Sequence, residues 1–198
     1  MCVTDCTLRD PGVEANARLT GYIGLVLILL LAAEFVTGLR FRQLLPAHAV
    51  IGFVLIPPVL LKLASVGYRF ARYYAGDPRY RAAGPPQLAM RLLGPVVVAL
   101  TVVVFGTGAE LWLFGYRFGF IWVPVHHLSA YLWFVATAIH AGSYLRRSSE
   151  LVSADWHDHL RGAFTRRSLV VGSLVLGAVL AVAMLPFPTP FVPAQGGG

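Results

Sequence analysis

The chain has 198 residues, 57% of them hydrophobic and only 13% charged, with a mean hydropathy of +0.70. A soluble domain carries about 25% charged residues, so this composition excludes a sizeable soluble domain and points to an integral membrane protein. The net charge of +7 and pI near 9.9 come from arginines that read as topology signals and lipid-headgroup contacts, not as a nucleic-acid surface.

Residues 1–18 read as a cytoplasmic N-terminal segment. It holds both cysteines, Cys2 and Cys6, without the Cys-x-x-Cys-His pattern of covalent haem attachment. No apolar stretch precedes them, as a lipoprotein signal would require, and there is no short apolar region with a small-residue cleavage site. Reduced thiols are the expectation.

Five apolar segments predict spanning helices, at residues 19–38, 44–66, 92–114, 121–145 and 168–187. The expected fold is therefore all-α, a membrane bundle over residues 19–187. The connection 67–91 carries Arg69, Arg72, Arg79, Arg81 and Arg91, and the connection 146–167 carries Arg146, Arg147, Arg161, Arg166 and Arg167. The opposite side has Arg40, Arg42 and Arg117 alone. This bias predicts a multi-pass plasma-membrane protein with a cytoplasmic N-terminus and an extracytoplasmic C-terminus. Asp77-Pro78 and Gly84-Pro85-Pro86 are turn signals that suit a small cytoplasmic cap at 73–87. The Pro- and Gly-rich tail, 188–198, reads as extended and poorly ordered.

Histidines mark the candidate site. His126 and His140 are fourteen residues apart on the fourth span, near the same face and about 21 Å apart along the helix. In a hydrocarbon core roughly 30 Å thick, they lie toward opposite leaflets. The second and fourth spans both run inward, so His48 and the His126-His127 pair meet at one outer level. Two neutral imidazoles from facing helices can clamp a haem iron. Gly52, four residues after His48, would leave room for a macrocycle, and Ala130 stands in the same relation to His126. His127 is followed at that offset by Tyr131. Helical phase also favours His126, which drifts about 40° from His140, against about 140° for His127. His127 stays open as the alternative, and each histidine could instead bond a neighbouring helix. At the inner level the position fourteen after His48 is Lys62, the only lysine. Its amine, if neutral, can ligate iron. It can equally snorkel to the inner headgroups.

These residues resemble the membrane cytochrome b superfamily. The resemblance extends to His48-Ala-Val-Ile-Gly52, Ile56-Pro57-Pro58-Val59-Leu60-Leu61-Lys62 and Gly67-Tyr68-Arg69-Phe70, which are similar to small bacterial b-type subunits of respiratory and molybdopterin oxidoreductases. It covers residues 44–145; the first and fifth spans match only as hydrophobic helices. The resemblance implies a four-helix haem-binding core, one or two b haems, and electron exchange with quinone. By position it implies His48 and His126 as outer ligands and His140 as an inner one. The departure is Lys62, where a second histidine would be expected.

Further polar residues have two readings each. Glu34 and Glu110 could relay protons or sit at the interface, hydrogen-bonded to Thr37 or Arg117. Arg117 is the nearest cation for outer haem propionates, with Arg69 and Arg72 at the inner level. Pro57-Pro58 kinks the second span, either shaping a pocket or adjusting packing. His157 and His159 read as solvated loop residues, since two ligands do not make a metal site. Trp112 and Trp122 suit an interfacial belt. No serine or cysteine has a convincing base and orienter. The expectation is a non-catalytic electron-transfer subunit between a quinone pool and a redox partner such as a molybdopterin oxidoreductase. The rivals are a haem-free anchor or small transporter subunit, and a haem enzyme with an open iron position.

Overall fold

The structure, a computed structural model, describes residues 10–84, 88–157 and 161–186. Cys2, Cys6, His159, Pro85-Pro86 and the C-terminal tail lie outside them. Six helices, and no strand, occur among the described residues. Helix α1 (Pro11–Leu39) starts well before the apolar run because Asp10 caps it, Oδ1 accepting from Gly12 N at 2.9 Å and Val13 N at 3.3 Å, with proline in the first turn.

Arg40 alone joins α1 to α2 (Phe41–Tyr74). The first turn of α2 is a corner: Leu44 has φ −118° and ψ 20°, and regular helix resumes near Pro46, where a missing N–H is harmless. The 34 residues of α2 would extend about 51 Å, so the stretch bearing Arg69 and Arg72 runs past any apolar layer. Helix α3 (Pro78–Ala82) is the small cap the turn signals suggest. Asp77 begins it, accepting from Arg79 N at 3.0 Å and pairing with Arg72 and Arg79. Helix α4 (Leu88–Phe114) and α5 (Trp122–His157) are joined by a turn in which Gly115 and Gly119 take φ of 59° and 111°, backbone conformations that glycine adopts without penalty. Helix α6 (Ala163–Met184) ends the described chain.

Among the described residues four helices, α1, α2, α4 and α6, are long and apolar enough to cross a membrane, which is compatible with a multi-pass membrane protein. That is one fewer than the five predicted. The fourth predicted span, residues 121–145, lies inside α5 and is the one not among them; His126, His127, Ser129, Thr137, His140 and Ser143 dilute its apolar content.

Helix α1 packs against α2, α5 and α6; α2 also packs on α6 and α4, and α4 on α5. One core cluster joins Ile23, Leu27, Leu55 and Val170; a second joins Phe53, Trp112 and Ala181. The outward faces of α4 and α6 expose Val102, Val175, Val179 and Val182, surfaces that lipid tolerates and water does not. Trp112 is buried, its Nε1 donating to Met184 O at 3.0 Å. It works as a core anchor between α4 and α6, not as a belt residue.

Pro58 cannot donate to Val54 O, its normal partner four residues back. Helix α6 covers that carbonyl with Gly177. A Cβ there would lie 3.0 Å from the Val54 carbonyl carbon and 3.1 Å from its Cα. The proline pair thus acts in packing, letting two backbones approach where one carbonyl lacks its helical donor.

At the arginine-rich end, Asp155 and Arg166 form a buried two-pronged ion pair between α5 and α6, with side-chain exposures of 0% and 6%. Arg167 continues the clamp. It donates to Asp155 O at 3.3 Å and Tyr22 OH at 3.4 Å, and lies 4.1 Å over the Trp156 ring.

Candidate functional site

The α1–α2 corner sets the position of His48. Pro46 restarts α2 after the corner, and His48 follows within its first turn, facing back onto α1. Its Nδ1 lies 3.2 Å from Glu34 Oε1 and 3.5 Å from Thr37 Oγ1. Glu34 and Thr37 are one turn apart on α1, both buried, and Thr37 Oγ1 also donates to Glu34 O at 2.9 Å. Gly38 and Gly52 make this approach feasible. A Cβ on Gly38 would sit 3.5 Å from His48 Cε1, and one on Gly52 would press to 3.3 Å from Glu34 Oε1. The space beside Gly52 is therefore occupied by a carboxylate, where the sequence suggested room for a macrocycle.

His126 enters from α5. Its Nδ1 lies 2.9 Å from Thr107 Oγ1 on α4, and Thr107 in turn donates to Val103 O at 2.7 Å. When Thr107 donates to that carbonyl, its oxygen accepts from the ring nitrogen, and Nδ1 then carries the proton. Gly108 leaves the ring its place: a Cβ there would come within 3.0 Å of Cε1.

The two rings come close edge to face. The centroids of His48 and His126 are 6.3 Å apart, with the planes at 79°. His127 packs on Phe41 at 5.4 Å and a tilt of 56°, and its ring centre is also 6.3 Å from that of His126. Adjacent residues on a helix differ by about 100° in direction, so one histidine of the pair meets α2 and the other the α1–α2 corner. Neither Nε2 of His48 or His126 has a hydrogen-bond partner among the described residues. A metal about 2.0 Å from each of two opposed imidazoles, with about 1.1 Å more to each ring centre, needs a separation of about 6 Å.

The inner pair is not assembled in this way. Lys62 Nζ turns into the α1–α2 seam and donates to Thr20 O at 2.6 Å, in space left by Gly24, whose Cβ would be 3.0 Å away. It therefore does not snorkel outward. Thr20 also contacts Ser65 Oγ, and Ser65 donates to Asn16 Oδ1 at 3.0 Å, forming a polar network. His140 lies at another level. Phe35 meets Phe134 at 5.2 Å, and Gly21 abuts Ser148 O at 3.4 Å. Both contacts give the same antiparallel register, which sets His140 level with Leu29. Lys62 Nζ sits between Thr20 and Gly24, so the two groups are roughly 8–13 Å apart along the bundle. His140 packs on Tyr144 at 5.3 Å, and its Nδ1 is buried without a partner.

Arg117 lies over Phe118, 6.0 Å from the ring centre, and makes no contact with His48 or His126. Both carboxylate oxygens of Glu110 are buried and unpaired, so Arg117 is not its partner. Trp133 is buried, donating to Thr101 Oγ1 at 2.7 Å. His157 bonds within its own helix, Nδ1 to Ser153 O at 2.8 Å. No cluster of three His, Cys, Asp or Glu side chains exists among the described residues.

Sequence reasoning missed the partnership of Glu34 with His48, and it missed Thr107, Gly38 and Gly108 altogether. Glu34 was visible as a membrane carboxylate, but its partner depends on the tight α1–α2 turn. Thr107 and Gly108 carry no signal until α4 is known to face α5.

No family model, curated protein or solved structure matches the chain.

Proposed function

We propose that this chain is a membrane b-type cytochrome in which His48 and His126 hold one haem, passing electrons between a redox partner protein and the quinone pool. The observation that carries the reading is the close approach of two imidazoles at 6.3 Å, each with Nδ1 engaged by a fixed polar group. Outer partners of this kind orient a ligating imidazole and raise its basicity. Two side-chain ligands are too few for a bare cation such as zinc. They suit haem, whose macrocycle supplies the other four nitrogens.

The bound haem would supply a one-electron carrier; the chain supplies ligation, orientation and exclusion of water. Glu34 and Thr37 hold the His48 ring, Thr107 holds His126, and Gly38 and Gly108 let both rings sit close to backbone. Two histidine ligands would leave no position free for substrate on a bound haem iron, which favours electron transfer over catalysis. The separation of Lys62 from His140 favours one haem over two.

We place α5 across the membrane as a fifth span, since it is 36 residues long and packs between α1 and α4. With the arginine bias this puts the N-terminus in the cytoplasm of a plasma-membrane protein and the histidine pair toward the outer leaflet. The redox partner, such as a molybdopterin oxidoreductase, would meet that side.

The test is a dithionite-reduced minus oxidised spectrum with a pyridine haemochrome assay, on protein purified from haem-replete cells. A b-type α-band is expected from the wild type and from His127→Ala, with loss of haem in His48→Ala and His126→Ala. A well-folded wild type without haem would overturn the reading in favour of a haem-free anchor or transporter.

A further inference from the structure

The carboxylates of the arginine-rich end are all engaged. Among the described residues there, Glu14 pairs with Arg18 at 2.9 Å, Asp10 with Arg79 at 3.8 Å and Glu150 with Arg146 at 3.0 Å. Asp77 holds Arg72 and Arg79, and Asp155 holds Arg166. None is left for Arg69 of α2 or Arg147 of α5. Neither of these guanidinium groups makes a hydrogen bond or an ion pair among the described residues.

Arg69 is half-buried, Arg147 exposed. The groups whose charges reach Arg69 are Arg147, Tyr144 and Tyr80, with no carboxylate among them. A partly desolvated cation beside a second one is unfavourable unless an anion joins them. Two of these neighbours are held in place. Tyr80 is buried at 5% exposure and meets Tyr68 edge-on at 5.9 Å, so the α3 cap forms one wall. Tyr144 rests on His140 at 5.3 Å. The guanidinium of Arg69 is still within reach of a ligand: the Nε atoms of Arg18 and Arg72 are buried without a partner, whereas each nitrogen of Arg69 keeps open surface. Helices α2 and α5 each pack on α1 and not closely on each other, so their own contact does not close the space between the two arginines.

Depth adds to this. The apolar runs end at Val66 and Leu145, and Arg69 and Arg147 follow three and two residues later, about 3–5 Å further along their helices. Lipid phosphates lie at that level, where hydrocarbon gives way to headgroups.

We propose that Arg69 and Arg147 together bind the phosphate of one anionic phospholipid in the leaflet on the arginine-rich side. A phosphodiester accepts hydrogen bonds from two guanidinium forks at once. A zwitterionic headgroup would bring its own cation to a place that already holds two, so net negative lipid is favoured. The site rests on the membrane reading of α2 and α5 and stands without the haem.

The experiment is native mass spectrometry of the full chain released from detergent, titrated separately with phosphatidylglycerol and phosphatidylcholine of the same acyl chains. The wild type is expected to retain one phosphatidylglycerol several-fold more tightly than phosphatidylcholine. Arg69→Gln and Arg147→Gln should each weaken phosphatidylglycerol about five-fold. Arg146→Gln, whose arginine is 94% exposed and already paired with Glu150, should bind as wild type. Equal affinity of the wild type for the two lipids overturns the proposal, as does either glutamine variant at 69 or 147 binding like wild type, or Arg146→Gln losing as much as they do. Inorganic phosphate that displaces the lipid at equal concentration would make this a site for free phosphate and overturns the lipid assignment. If Arg69→Gln fails to fold, Arg147→Gln, at its exposed position, decides the matter. Retention of the chain in alkaline-washed membranes is measured alongside, so failure of the membrane reading and failure of the site are separately visible.

Discussion

Asp155→Asn is the sharpest test of how the arginine-rich end is held together. The substitution keeps the shape of the side chain and removes its charge. Arg166 would keep its own charge, buried to 6% exposure, with Arg161 O at 3.1 Å as its remaining acceptor of full strength. Removing one partner of a buried pair costs about 3–5 kcal/mol, because the other charge stays desolvated. For a chain of this size each kcal/mol moves the midpoint by about 2–4 °C, which gives a fall of about 6–20 °C. Circular dichroism melts in a mild detergent would read it. Arg146→Ala is the control: its pair with Glu150 is exposed, at 94% and 62%, and is worth about 0–1 kcal/mol. The double variant Asp155→Leu with Arg166→Leu should recover most of the loss, since neither charge remains to be buried. An Asp155→Asn melt no lower than that of Arg146→Ala would refute the reasoning. It would mean that water reaches the pair in solution.

Three further outcomes follow from the same geometry. Gly177→Ala should destabilise the α2–α6 contact by about 1–3 kcal/mol, the usual range for forcing atoms into a filled site; matched melts with Gly172→Ala, whose Cβ would meet open space, read the difference. Thr107→Val should weaken haem binding about 10–100-fold by freeing His126 Nδ1, measured by haem titration of the apoprotein, and unchanged affinity would remove Thr107 from the site. For the α3 cap, the hydrogen bond from Arg79 holds the Asp77 carboxyl below 3.8, with Arg72 adding to the effect. A depressed acid contributes its stability above the unfolded value and loses it as pH falls through the folded one. Hydrogen exchange across α3, corrected for intrinsic rate, should stay constant from neutral pH to just above 3.8 and rise only below it. A rise near pH 6 would assign the cap to another group.

Much of this molecule was legible from the chain alone, where a local rule governs. Apolar runs of spanning length gave α1, α2, α4 and α6, because burying backbone polar groups in an apolar layer leaves helix as the local solution. Helical phase separated His126 from His127, because a step of about 100° directs neighbours to different surfaces. Asp77-Pro78 marked the start of α3, because a cap and a proline act within one turn. Helix ends were less legible: α2 and α5 run on through their arginines to Tyr74 and His157, since charged residues cost a helix nothing once outside the apolar layer.

What needed the tertiary structure was every pairing between distant segments. Glu34 reaches His48 because a single residue, Arg40, turns α1 into α2, and no periodicity encodes that closure. Gly52 admits that carboxylate, and Gly177 admits a carbonyl released by Pro58; in sequence each was only a missing side chain. Lys62 and His140 looked like partners because each stands fourteen residues beyond an outer histidine. Equal spacing along two helices does not ensure equal depth once the helices differ in offset, and the α1–α5 register separates them by roughly 8–13 Å. Local chemistry thus determined which elements form and which way their faces point. Only packing decided which faces meet, because the depth of one helix against another is set by contacts far apart in the chain.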